Sequence, residues 1–277
     1  LIGGNAGENI AGSLNVALGA NTGKGAVGSK NTYIGSNAGV TTYAATGDNN
    51  TGVGYSAGRS VQGSGNASFG LTAGNNVTGD NNLAVGVNSG LNAAGSNTIA
   101  IGTNAGQNVS GGSNFAIGTN AGQYVSGTSS VKNIAYGYGA GSNVVGSSNI
   151  AIGSDAGKAV TANNAVSIGN TALGSGSNSI AVGSSANAQT AGDIAVGVGT
   201  LATGRSSATT ASIGAITGET YGPAMAQGAY ANAQGRNAIA IGNNAQAIGS
   251  TADGSINDVI AIGANSKANS NRGIAMG

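Results

Sequence analysis

The nearest approach to a nucleophile beside a base is Ser129-Ser130-Val131-Lys132, which fits the S-x-x-K spacing in which a lysine amine activates a serine hydroxyl. The companion motifs of that chemistry are missing, and the tetrapeptide interrupts a repeat, so it reads as a loop. Gly19 to Lys24 and Gly153 to Lys158 approximate phosphate-cradling loops. Each places Gly-Lys after three intervening residues rather than four, and neither lysine is followed by the Ser or Thr that would reach Mg²⁺. Gly137-Tyr138-Gly139-Ala140-Gly141 has the glycines of a dinucleotide turn without a helix to follow. Asp253 and Asp258 share a loop that offers at most weak ion binding, and no Asp stands in the nonapeptide of calcium-binding β-rolls.

What is missing decides more. With no His and no Cys, the chain cannot build a His-dependent triad, a Cys nucleophile, a Cys/His zinc site or a disulfide framework. Charged residues are 6%, and the nine cations (Lys24, Lys30, Arg59, Lys132, Lys158, Arg205, Arg236, Lys267 and Arg272) are scattered, which leaves no basic stripe for nucleic acid or anionic lipid. The chain is therefore expected not to be an enzyme. No catalytic, cofactor-binding or metal-binding residue is nominated, and the ligand-binding residues stay unassigned.

The elements that would have to position any such group are repeats. Gly makes up 54 of 277 residues, and one glycine, the last of the tetrapeptide Ile99-Ala100-Ile101-Gly102, recurs at 3, 19, 35, 54, 70, 86, 102, 118, 137, 153, 169, 183, 197, 214, 228, 242, 263 and 277. The marks define mainly 16-residue units up to Gly169 and mainly 14-residue units beyond it. We therefore expect one continuous solenoid with two arrays, 1–168 of 16-residue units and 169–277 of 14-residue units. In the first array the third residue after the marker is Ala, Ser or Thr, the fourth is always Gly, and the seventh is a second apolar site, most often Val.

Units this short and this rich in glycine exclude helical hairpins and suit two strands of about five residues joined by tight turns. The expected fold is all-β, a parallel β-roll solenoid. Alternation along Ile99-Ala100-Ile101-Gly102 puts the two isoleucines on one face and Ala100 and Gly102 on the other. The isoleucine face is expected to fill the roll, leaving the Ala/Gly face to pack against neighbouring chains in a homo-oligomer. Extra residues at 40–50, 128–133, 205–211 and 248–258 are expected to project as loops. Tyr33, Tyr55, Tyr136 and Tyr138 lie at or beside marker strands and read as packing residues, whereas Tyr43, Tyr221 and Tyr230 are better placed for contact. Both ends fall inside the repeat register, as in a segment of a longer array, and no apolar run is long enough to span a bilayer as a helix.

The units Ser179-Ile180-Ala181-Val182-Gly183-Ser184-Ser185-Ala186-Asn187-Ala188 and Asn237-Ala238-Ile239-Ala240-Ile241-Gly242-Asn243-Asn244-Ala245-Gln246-Ala247 resemble the head repeats of trimeric autotransporter adhesins, the YadA-like head. The resemblance covers nearly all of 165–277. The 16-residue units, with Gly102-Thr103-Asn104-Ala105-Gly106, resemble longer variants of that repeat and also Gly- and Asn-rich repeats of some phage tail fibres. It implies a left-handed parallel β-roll and a homotrimer of identical chains. It further implies display on the outside of a Gram-negative outer membrane through a stalk and anchor that lie outside this segment, and adhesion to matrix protein, host cells or abiotic surfaces. The alternative it leaves is the shaft or receptor-binding segment of a trimeric phage tail fibre. A hexapeptide-repeat acyltransferase does not fit 14- and 16-residue units without His, and an ice-binding ladder does not fit the varied residues that follow the marker glycines.

Overall fold

The structure, a computed structural model, describes residues 1–41, 46–126, 132–203, 211–218, 224–234, 238–242, 244–248, 259–270 and 272–277; within 203–237 it describes the backbone alone. The described residues contain no α-helix. They form two compact units, Leu1–Ser148 and Asn149–Gly277.

In the first unit the chain winds as a parallel β-solenoid. Eight marker strands stack in chain order, β1 (Val16–Leu18), β2 (Thr32–Ile34), β3 (Thr51–Val53), β4 (Ala67–Phe69), β5 (Leu83–Val85), β6 (Ile99–Ile101), β7 (Phe115–Ile117) and β8 (Ile134–Tyr136). Every pair is parallel and in repeat register, so Leu83 faces Ile99 and Ile99 faces Phe115. A second track on the far side of the coil consists of single bridges such as Thr78 to Ala94 and Ala94 to Ser110. The ordered strands are thus three residues or one, shorter than the five the repeat length suggests, because turns occupy the remainder. The coil of Ile99 to Asn114 shows how. The N–H groups of Ile99, Gly106 and Ser110 donate to the following coil, and those of Gly102, Asn104, Asn108, Gly111 and Ser113 donate to the preceding one, so turn amides are paired as strand amides are.

These turns demand left-handed backbone. Asn104, Gly106, Asn108 and Ser113 have φ of 55°, 58°, 54° and 59°. Asn and Gly adopt that conformation most readily, which accounts for the composition better than any binding role does. The marker Gly102 has φ of 131°, and a Cβ there would lie 2.7 Å from the carbonyl of Gly118 one coil on.

The second unit has the same architecture with a tighter coil. Its marker strands are β9 (Ile150–Ile152), β10 (Val166–Ile168), β12 (Ile180–Val182), β14 (Ile194–Val196), β18 (Ala238–Ile241), β20 (Ile260–Ile262) and β22 (Ile274–Met276). The far-side strands are β11 (Leu173–Gly174), β13 (Asn187–Ala188), β15 (Leu201–Thr203), β19 (Gln246–Ile248) and β21 (Lys267–Ala268), while β16 (Ala211–Gly218) and β17 (Ala224–Gln234) run through both tracks. In the 14-residue coil the far strand follows the buried alanine directly, as Leu173 follows Ala172. The 16-residue coil instead inserts a second left-handed turn, Gly106 to Asn108, between buried Ala105 and Val109.

The two faces of the marker strands are the reverse of the sequence expectation. Ala100 is 1% exposed, and the interior is lined by Ala17, Ala84, Ala116, Ala135, Ala151, Ala181 and Ala195 at the same position, whereas Ile99 and Ile101 lie half-exposed outside. The reason is lumen width. A coil this short closes around so little space that the strand centre, the alanine after the marker and the far-side Val or Ala already fill it; a branched side chain from the marker strand has no room inside.

Candidate functional surface

The reversal turns the branched side chains into a surface. On the first unit Val16, Leu18, Ile34, Phe69, Ile134 and Tyr136 are exposed, with Val53, Val85, Ile99, Ile101, Phe115 and Ile117 half-exposed between them. Eight strands at a spacing of about 4.8 Å make an apolar stripe about 34 Å long. Over three successive coils it is widened by Tyr55, Leu71 and Val87, exposed residues that follow the marker glycines. Their carbonyls accept from the N–H groups of Thr72, Asn88 and Asn104, each at 2.9 Å. Tyr138, 58% exposed, widens it again beside Tyr136. Tyr55, Tyr136 and Tyr138 do not pack inside the coil: all three face outward. Of that group only Tyr33 is inside, 4% exposed, with its phenol pushed up to about 12 by burial. Tyr124, which the sequence did not single out, is exposed at a left-handed turn with φ of 56°.

Other outward turns carry amide ladders. Asn88 Nδ2 donates to Asn104 Oδ1 at 3.2 Å and Asn104 Nδ2 to Asn120 Oδ1 at 3.1 Å; Asn76, Asn92 and Asn108 form a parallel row at 3.2 and 3.0 Å. A third ladder alternates Ser and Asp, the N–H of Ser29 donating to Asp48 Oδ1 at 2.7 Å and that of Asp48 to Ser64 Oγ at 3.0 Å. Every group in these rows bonds to the coil above or below, so they join coils and converge on no common point.

The interior has a polar spine that the sequence reading missed. The residues before β1 to β9 are Asn15, Asn31, Asn50, Asn66, Asn82, Thr98, Asn114, Asn133 and Asn149. Asn50 Oδ1 accepts the Asn66 N–H at 2.9 Å while Asn50 Nδ2 donates to the Gly63 carbonyl at 2.9 Å, and the pattern repeats at Asn66 and Asn82. Recurrence of Asn at that one register was the available signal. In the second unit Asp193 takes this place, fully buried, and Oδ2 accepts both the N–H and the hydroxyl of Thr190 at 2.8 Å.

The fragments that mimic catalytic motifs stay apart. Lys24 pairs with Glu8 at 2.8 Å and Lys158 with Asp155 at 3.5 Å, both at the surface, where such pairs contribute about 0.2–1 kcal/mol. Gly137 to Gly141 closes β8 and turns, with no helix behind it. Ser129 to Val131, Tyr43, Tyr221, Asp253 and Asp258 lie outside the described residues, as does the Tyr230 side chain. Among the described residues no three His, Cys, Asp or Glu side chains cluster as metal ligands, and no helix is long and apolar enough to cross a membrane. No known family model and no curated protein matches this sequence.

Proposed function

We propose that this chain is a non-enzymatic adhesin head, a homotrimer displayed on the outer face of a Gram-negative bacterium, with the left-handed β-roll of the YadA-like heads that its 14-residue units resemble. One observation supports this most: the apolar stripe of β1 to β8. Stability of a monomer gives no reason to keep Leu18, Ile34, Val53, Phe69 and Val85 outside on five successive coils, and contiguous apolar patches of this length mark interaction surfaces. Identical repeats place the same stripe on every copy, so three chains bury it against one another about a common axis. The faces left outward, with their amide and Ser/Asp rows, then repeat at each coil and in each chain. Many weak contacts of that kind sum to firm attachment on matrix proteins, cells or bare surfaces.

Light scattering on the chain gives three times 25.8 kDa under this reading, and adsorption to matrix-coated and uncoated surfaces rises with trimer content. A folded monomer at micromolar concentration refutes it. The Gly- and Asn-rich 16-residue coils favour a second reading, a segment of a trimeric phage tail fibre. Adsorption to intact bacteria with none to matrix proteins selects that one.

A further inference from the structure

In the eight marker strands of the first unit the central residue is Ala17, Tyr33, Gly52, Ser68, Ala84, Ala100, Ala116 and Ala135. Seven are small; one is a buried tyrosine, and its in-register neighbour on the next coil is the one glycine of the set. The two departures complement each other. A Cβ on Gly52 would lie 2.7 Å from the Ala57 carbonyl oxygen and 3.1 Å from Tyr33 Cδ1, and one on Gly39 would overlap the ring at Cγ. Gly39 belongs to the glycine found in every 16-residue unit, but Gly52 does not, and it is the one central position of β1 to β8 without a side chain, directly beside the ring.

Elsewhere one coil is nearly interchangeable with the next. Ala84, Ala100, Ala116 and Ala135 are equivalent inside, as are Asn66, Asn82, Asn114 and Asn133 on the spine, and a slip by one whole coil keeps every face correct. Periodicity alone therefore cannot forbid it. Chain length constrains the choice less where an insertion lengthens the step beyond the usual unit, as it does equally from Thr32 to Thr51 and from Phe115 to Ile134, and the Tyr33–Gly52 pair stands at the first of these steps. Stacking β2 on β4 instead would drive the Tyr33 ring onto Ser68 and leave Gly52 under no ring.

We propose that Tyr33 and Gly52 form a register key, a single size-matched pair that fixes which coil stacks on which during folding. The chain has no Cys, so the test uses introduced pairs on the exposed Ser/Asp ladder. Ser29→Cys with Asp48→Cys reports native stacking, and Ser29→Cys with Ser64→Cys reports a slip of one coil. The full chain is refolded from denaturant under oxidising conditions, and the linked fraction is read on a denaturing gel. With Tyr33 and Gly52 in place, the native pair closes and the slipped pair does not. In a Tyr33→Ala background, which removes the ring and leaves Gly52 as it is, the slipped pair closes at least tenfold more often while the far-UV β signal is kept. Absence of the slipped crosslink in that background overturns the proposal. So does loss of the β signal there, because the pair would then be a requirement for stability and not a selector of register.

Discussion

The backbone N–H of Asn82 donates to Asn66 Oδ1 at 2.9 Å, one coil away inside the roll. Asn82 in turn accepts from the N–H of Thr98 at 2.9 Å and donates from Nδ2 to the Gly95 carbonyl at 2.9 Å. Asn82 thus supplies an acceptor to a buried N–H and a donor to a part-buried carbonyl, in a lumen lined mainly by alanine and valine.

Asn82→Ala removes both partners at once and strands one buried N–H and one carbonyl. At about 1–3 kcal/mol for each orphan, the loss is about 3 kcal/mol. Asn92→Ala, on an outer ladder, stays within about 0.5 kcal/mol. Guanidinium unfolding of the two variants separates them, and equal midpoints would show that the spine is no more than a surface row.

The faces of β6 give opposite results when tested. Ala100→Leu overfills the lumen and costs about 1–3 kcal/mol or more. Ile101→Asp, on the outer stripe, leaves the coil folded in dilute solution but abolishes self-association. Circular dichroism and light scattering on both variants decide the matter. Unfolding by the aspartate alone, with the leucine tolerated, would return the branched residues to the interior.

Gly102→Ala has to place a methyl group 2.7 Å from a carbonyl at a φ that alanine avoids, and costs about 3 kcal/mol. Gly4→Ala meets nothing within 4 Å and is neutral or slightly stabilising. Thermal melts of the pair check that the marker glycine is held by its neighbour on the next coil and not by local turn chemistry.

Alkaline pH is selectively unfavourable through Tyr33. Burial raises its pKa from 10.0 unfolded to about 12 folded, so the folded chain keeps the proton more tightly. This contribution is complete below pH 10 and is lost as pH rises towards 12, at about 1.4 kcal/mol per pH unit. Tyr33→Phe removes that slope, so wild type and variant diverge in urea titrations above pH 10. Parallel curves would mean that the phenol reaches water.

The sequence was legible where it counted turns and blind where it needed a radius. Spacing of the marker glycines was enough to reach a parallel solenoid, because only a coil that closes once per unit brings Gly102 over Gly118. Alternation in Ile99-Ala100-Ile101 showed that the faces differ but carried no information on which one looks inward. That depends on the diameter of the lumen, a property of the closed coil. Asn66 and Asn82 gave one signal, the recurrence of Asn at a single register, but beside glycine and serine an asparagine reads as a turn former, and its burial is visible only once coils stack. Tyr33 looked like its fellows Tyr136 and Tyr138, and the glycine on the neighbouring coil sets it apart.

The direction of the hydrogen bonds has a mechanical consequence. In the first unit the bonds between coils lie along the stacking axis, with Ile99 reaching Asn114 and Gly102 reaching Val85. Tension between the two ends of that stack therefore does not shear many bonds at once; it peels one coil at a time. Each 16-residue coil released lengthens the tether by about 50 Å and can wind back onto the remaining stack when the load falls. A cell held through such a stack in flowing liquid would be on a line that runs out under a gust without parting.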